Sequence, residues 1–281
     1  MTEHLILRIA ILLGMVLGAS RVNAQKVELS LDASTAGAKI DRNIFGQFAE
    51  HLGHGIYEGF WVGPDSAIPN TRGIRNDVVT ALKALKVPTV RWPGGCFADE
   101  YHWRNGIGRR RAVTLNPNWG GVIEPNTFGT REFMDFIEQI GAEAYISVNM
   151  GSGSPREAAE WLEYMTAAQP TTLAKERAAN GHPAPYKVGY LGIGNESWDC
   201  GGNMTPDYYL SQLKIYSRFV RNFNPTQGAG RGRTALDGVD ASDHEGLAAA
   251  HMELGYQWPF AALLHRGEVA AGIYVGGVRR G

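Results

Sequence analysis

Cysteine is nearly missing from this 281-residue chain: Cys96 and Cys200 are the whole supply. Two thiols cannot build a disulfide-dense scaffold or a zinc site of four cysteines. A single bridge between them stays open. An excess of charge is missing too. Lys plus Arg is 27 and Asp plus Glu is 28, a formal net charge of -1. That gives no electrostatic footprint for nucleic acid or an anionic membrane. The nucleotide-binding glycine patterns are also lacking, both Gly-x-Gly-x-x-Gly after an early strand and the Gly-Lys-Ser/Thr phosphate loop. With 44% hydrophobic and 20% charged residues, the chain is not intrinsically disordered. At about 150 residues per domain, its length allows one large domain or two small ones.

Long apolar runs are confined to the amino end. Residues 1–24 read as a secretory signal peptide: Arg8, an apolar stretch from Ile9 to Ala19, then Val22-Asn23-Ala24 before the expected cleavage at Gln25. The stretch is well short of the ~20 residues a spanning helix needs. The expected product is secreted or periplasmic, with no membrane attachment after cleavage. Glycine, at 36 residues, is abundant and concentrates oddly after Gly228. There few caps or strand alternations are evident.

Between these ends the pattern is strand, loop, helix, several times over. Val27 to Leu31 alternates as a half-buried strand, and Ile44 to Glu50 reads as a second. Further strands are expected at 87–92, 144–149 and 187–193. Helices are expected at 74–86, at 130–140 with Thr130 as N-cap, at 155–168, and at 206–221 behind Thr205-Pro206. This rhythm predicts an α/β fold with parallel strands and right-handed crossovers, either a doubly wound sheet or a (β/α)8 barrel. Polar residues or glycine turns recur at the strand ends: Glu50, Gly94-Gly95-Cys96, Asn149 and Asn195-Glu196. In a barrel these ends converge on one face, where barrel enzymes keep their chemistry.

Glu196 is the leading catalytic candidate. It closes a hydrophobic strand beside Trp198, and apolar bulk favours the protonated form of a carboxyl, which suits it to protonate a leaving oxygen. The alternative is a surface Glu opening a loop. Asn195 is placed to hold a substrate hydroxyl. Glu50 ends another strand, beside His51 and close to His54. No third ligand sits at a metal-binding spacing, so the histidines are assigned to loop or hydrogen-bonding roles. Cys96 follows two glycines that let backbone approach a ligand, though a buried cysteine is the commoner fate. Trp92, Trp103, Trp119 and Trp198 offer stacking faces for a sugar or, more simply, core mass. Arg109-Arg110-Arg111 reads as a solvated loop.

Three motifs in order, Phe45-Gly46-Gln47-Phe48-Ala49-Glu50-His51-Leu52-Gly53, Arg91-Trp92-Pro93-Gly94-Gly95-Cys96-Phe97 and Gly194-Asn195-Glu196-Ser197-Trp198 with Cys200-Gly201-Gly202-Asn203-Met204-Thr205-Pro206, closely resemble the α-L-arabinofuranosidases of glycoside hydrolase family 51. The resemblance spans about residues 26–227. It implies a (β/α)8 catalytic barrel with a β-sandwich, no cofactor, no metal, and hydrolysis with retention of terminal α-L-arabinofuranosyl groups on arabinan, arabinoxylan or their oligosaccharides. It assigns Glu196 as acid/base, Asn195 beside the reacting carbon, and Glu50 and the Cys96 position to other furanose hydroxyls. A homo-oligomer is compatible with the full-length family member. The implied layout is a β-sandwich strand segment at 25–45, a partial barrel of about four βα units at 46–227, and an aberrant tail at 228–281.

The tail departs from the family. Retention needs a second carboxylate about 5–5.5 Å from the first. After Glu196 the glutamates are Glu245, Glu253 and Glu268, none of which ends a hydrophobic strand. Back-translated and shifted by one nucleotide, His251 to His265 permits Thr-Trp-Asn-Trp-Asp-Ile-Asn-Gly-Leu-Ser-Leu-His-Tyr-Tyr, which resembles the family's sixth-strand segment. The tail is therefore expected to come from a shifted reading frame, and the chain as written to be inactive. Two alternatives remain: a sugar-binding half-barrel without activity, and another clan A glycosidase such as a xylanase.

Overall fold

A computed structural model describes Gly37, residues 40–220, and the backbone of Arg233–Thr234. The signal peptide expected at residues 1–24, the strand expected at Val27 to Leu31, and Glu245, Glu253 and Glu268 lie outside the described residues.

The framework is one all-parallel sheet. Its strands are β1 (Gln47–Phe48), β4 (Thr89–Trp92), β7 (Glu143–Val148), β8 (Val188–Ile193) and β9 (Arg233–Thr234), in that spatial order. Each strand is followed in space by the next in sequence among the five, the order of a barrel wall. Among the described residues the sheet is open, with β1 and β9 at its edges. Two small antiparallel hairpins decorate it: β2 (Asn70–Thr71) with β3 (Ile74–Arg75), and β5 (Thr114–Asn116) with β6 (Val122–Glu124). The crossovers carry α1 (Asn76–Ala84), α2 (Thr130–Ile140), α3 (Pro155–Thr166) and α4 (Thr172–Ala179). Helix α5 (Pro206–Phe219) follows β8.

The period of two along each strand sorts side chains between two faces. Trp92, Ile146 and Leu191 are register partners on one face. On that side Trp92 stacks on Phe133 of α2 at 5.0 Å and meets Trp161 of α3 edge-on at 5.8 Å. Phe48, Arg91, Tyr145 and Tyr190 are register partners on the other face. This polar and aromatic row includes the Arg91 guanidinium 5.7 Å from the Phe48 ring centroid.

Most expected elements fall where the periodicity puts them, and the differences have physical causes. Residues 42–45 form a 3-10 turn, so the strand expected from Ile44 shortens to Gln47–Phe48. Ile74 and Leu85 leave the first helix, Ile74 pairing in β3 and Leu85 standing exposed beyond the C-terminus. The N-cap of α2 is Gly129, whose N–H donates to Glu132 Oε2 at 2.9 Å. Thr130 is not free to cap, because its hydroxyl accepts from Trp161 Nε1 at 3.0 Å. Helix α4 has no apolar stripe and was invisible to periodicity. Residues 233–234, in the tail expected to hold no strand, pair parallel with Tyr190 and Leu191.

Arg111 also departs from expectation. It is no solvated loop residue: it donates to Glu132 Oε1 at 2.8 Å, to Gly108 O at 2.9 Å, and to the Gly106 carbonyl. Arg177 goes further. It is 2% exposed and donates to the carbonyls of Tyr164, Met165, Ala167, His182 and Pro183. Those carbonyls belong to the end of α3 and the loop before β8, where helix termini leave acceptors unpaired. Arg177→Met is expected to strand them and lower unfolding free energy by about 3–5 kcal/mol. Urea unfolding followed by tryptophan fluorescence measures it; a loss under 1 kcal/mol would remove the structural role (about the cost of an exposed pair).

Candidate active site

The site is built where the strands end. Glu50 stands two residues beyond β1, Cys96 in the turn after β4, Asn149 just past β7, and Asn195-Glu196 just past β8. Parallel register brings these ends to one rim of the sheet.

Glu50 lies against the glycine turn after β4. Gly94 and Gly95 both have positive φ, 78° and 28°. A Cβ on Gly95 would fall 1.5 Å from Glu50 Oε1, so glycine there is a space requirement as well as a backbone one. Burial raises the Glu50 pKa. The Arg91 charge opposes this, the Glu196 charge adds to it, and the Cys96 N–H opposes it. Glu50 and Glu196 therefore share one electrostatic site.

Glu196 is half-buried, and its backbone is left-handed at φ 42°. Only a few per cent of non-glycine residues adopt that conformation, and it collects at functional sites. Two bonds hold it: Asp199 N–H and Gly201 N–H both donate to the Glu196 carbonyl, at 2.9 and 3.1 Å. Asn195 is buried. Its Oδ1 accepts from Arg91 Nη1 at 2.9 Å, which fixes the amide orientation and leaves Nδ2 as the donor. Among the described residues that buried Nδ2 has no hydrogen-bond partner. A donor held in one direction and left unused is what a substrate hydroxyl requires.

Cys96 and Cys200 form a disulfide, which settles the pairing and means that Cys96 offers no thiol. Glu196 Oε2 lies 3.6 Å from Cys96 Sγ and 3.4 Å from Cys200 Sγ. Bridged sulfurs carry no hydrogen, so these are van der Waals contacts. They cover one side of the carboxyl with polarizable, non-donating surface. The two sulfurs and the carboxylate stand close enough to hold a metal ion in principle, but oxidation to the disulfide removes both thiolates. The donor set does not fit a resident metal.

His51 is a core residue. Its Nε2 accepts from Trp92 Nε1 at 3.1 Å, so the ring hydrogen is on Nδ1 and donates to Glu124 Oε2 at 2.9 Å. The ring stacks on Phe97 at 4.3 Å. Burial works to raise the Glu124 pKa, but bonds from His51, Tyr57 and the Asn126 N–H outweigh it and leave it lowered. His54 is exposed and pairs with Glu58. Trp92 and Trp103 are core, while Trp119 and Trp198 are half-buried.

Sequence reasoning missed Asp99. It is 3% exposed, and its carboxylate accepts three backbone N–H bonds: Met150 at 2.7 Å and Gly151 at 2.8 Å on Oδ1, Asn195 at 2.7 Å on Oδ2. Burial raises its pKa to about 6 against those three bonds and the Arg91 charge. An acid raised in the fold contributes most to stability below its unfolded value, and that contribution is lost as pH rises through about 6. The one sequence signal was an aspartate two turns of chain after Pro-Gly-Gly, and nothing local marks it as buried.

A rim of parallel strand ends that carries a carboxyl, an adjacent amide and a second acid has the elements from which glycosidase sites are built. Residues 81–228 match the family described as the alpha-L-arabinofuranosidase 1 domain, over half of the chain. The chain belongs to the glycoside hydrolase family 51 α-L-arabinofuranosidases. An intracellular exo-alpha-L-arabinofuranosidase of Bacteroides ovatus is 50% identical over 206 residues, covering 72% of this chain and 40% of that protein. The crystal structure of the Xanthomonas axonopodis pv. citri arabinofuranosidase is 57% identical, with a TM-score of 0.66 over 67% of this chain and 38% of that one. The Thermotoga maritima enzyme, solved as an arabinose complex, is 45% identical, with a TM-score of 0.60 over 63% of this chain and 37% of that one. The chain thus spans about two-fifths of the length of these relatives.

The bridge yields a direct prediction. The folded chain should show no thiol reactive to Ellman's reagent until reduced, and two afterwards. Because the bridge closes a loop of 104 residues, replacing both cysteines by alanine should cost up to about 4–5 kcal/mol of unfolding free energy. A free thiol in the unreduced native chain would contradict the pairing.

Proposed function

We propose that this chain carries the acid/base half of an exported, retaining α-L-arabinofuranosidase acting on terminal arabinofuranosyl groups. The observation that carries the reading is the convergence of Glu50, Asn195 and Glu196 on one rim, in a chain of this family. Glu196 is the proton donor to the leaving oxygen and later the base for water. Asn195 Nδ2 is the free donor toward a furanose hydroxyl beside the reacting carbon. Glu50 and the backbone around Cys96 take further hydroxyls. The cystine at 96 and 200 supports export, since such bridges persist in oxidising compartments. The apolar amino end supports it too. No helix among the described residues is long and apolar enough to cross a membrane.

Retention also requires a nucleophilic carboxylate across the scissile bond. The second reading is a sugar-binding half-barrel that takes up arabinose without turning over. The two readings separate in one experiment. Hydrolysis of p-nitrophenyl α-L-arabinofuranoside by the 281-residue chain, well above a Glu196→Gln control, supports the enzyme. L-arabinose binding with activity equal to that control supports the second reading, and hydrolysis of the xyloside instead would overturn both.

Where turnover is present, Glu196→Gln should lower kcat by about 10²–10⁴-fold on poor leaving groups. The loss should be smaller for nitrophenolate, which needs little protonation. Equal losses for both leaving groups would count against the acid role.

A further inference from the structure

We propose that Asp99 is the positioning residue of this site: its buried carboxylate sets where Asn195 and Glu196 stand relative to the bridged loop of Cys96. The inference rests on the sugar-site reading of Asn195 and Glu196 above.

Four segments meet at Asp99. The residue itself ends the 3-10 turn Cys96–Asp99, which begins at the bridged cysteine. Its Oδ1 takes the N–H groups of Met150 and Gly151, just beyond β7. Its Oδ2 takes the N–H of Asn195, just beyond β8. Its own carbonyl accepts from Ser152 N–H at 3.1 Å and Ser152 Oγ at 2.8 Å. The fourth segment is the loop after Glu196. A Cβ on Gly201 would lie 2.8 Å from Asp99 Oδ2 and 1.8 Å from the Asn195 carbonyl, so that loop passes directly over the clamp. The same Gly201 donates its N–H to the Glu196 carbonyl, and its neighbour Cys200 returns through the bridge to Cys96. Thus one carboxylate bonds the backbone just before the left-handed Glu196 and leaves no room for a side chain on the loop just after it.

Among the described residues the hydrogen bonds to the Asp99 carboxylate all come from backbone N–H groups. It acts through backbone, which is why its role differs from that of Glu50 or Asn195. A carboxylate accepting three N–H bonds is the strong form of this contact, and protonation converts one acceptor oxygen into a poorer one. The oxygen with a single N–H partner is Oδ2, the one that holds Asn195. The charged or titratable groups facing Asp99 are Arg91 from β4 and Tyr209 and Tyr216 from α5. Both tyrosines are raised far above neutral pH by burial, so Asp99 is the member of this group that changes charge near pH 6.

The test reads the clamp and the positioning separately, on the full chain. Nitrogen-15 proton spectra are recorded through the pH range around 6 for wild type and Asp99→Asn. The backbone amides of Met150, Gly151 and Asn195 should follow one titration curve in wild type and lose it in Asp99→Asn. The decisive signal is the Asn195 side-chain amide, which does not touch Asp99. If Asp99 positions it, that amide follows the same curve and shifts in Asp99→Asn, while the Trp161 indole signal in the core stays in place. In the same variant L-arabinose should bind about tenfold more weakly. An Asn195 side-chain amide that ignores both pH and the variant would overturn the proposal and leave Asp99 a purely structural residue. Should Asp99→Asn not fold, Asp99→Glu serves instead: it keeps the carboxylate but lengthens its reach, and an Asn195 side-chain amide that does not shift in it would overturn the proposal. If wild type fails to bind arabinose, the functional reading falls, and the amide titration still decides Asp99.

Discussion

Strands in a parallel sheet end by exposing N–H groups and carbonyls that no neighbour completes, and those ends must be tied down before they can carry chemistry. Here the tie is largely one carboxylate. Asp99 collects N–H groups from the loops after β7 and β8 while sitting in the turn after β4. Three successive strand ends are thereby fixed against one another without a side chain entering the substrate rim. Burying an unpaired carboxylate would be ruinous, but charge-assisted bonds to three amides offset much of that cost. The remaining penalty shows as a pKa near 6. Loosening that contact would free the Glu196 loop to relax from its left-handed backbone.

The disulfide works on the same loops from the outer side. Cys96 and Cys200 join the turn after β4 to the turn after β8, three residues before Asp99 and four after Glu196. Covalent closure and the carboxylate clamp thus act in parallel, one across the loop tips and one across their bases. The bridge also shapes the medium around Glu196, since sulfur neither donates to the carboxyl nor hydrates it.

Much of this was legible in the sequence and some was not. The strands at 89–92, 143–148 and 188–193 and the helices at 130–140 and 155–166 carry strong periodic patterns, and they form because burial on one face rewards that pattern. Glu50, Asn195 and Glu196 stand out in the sequence because each follows a hydrophobic strand, and the structure brings all three to the same rim of the sheet. Asp99 was not, because its burial depends on three segments distant in sequence, and no local pattern reports a long-range backbone acceptor. Arg111 escaped for the same reason: a run of arginines reads as solvent-facing until the carbonyls it serves are seen. Thr130 was misassigned as a cap because its hydroxyl has a tertiary partner in Trp161, which outcompetes the local bond.

The arrangement of charge follows from these contacts. Arg91 lies on the sheet face that leads to the rim, and its charge reaches both Glu50 and Asp99 while its Nη1 holds Asn195. Glu50 and Asp99 are both shifted upward, each chiefly by burial, and the Arg91 charge opposes that shift in both. The same arginine thus couples the orientation of an amide to the protonation of two acids: replacing it would free the Asn195 amide to turn and would raise Glu50 and Asp99 further at the same time.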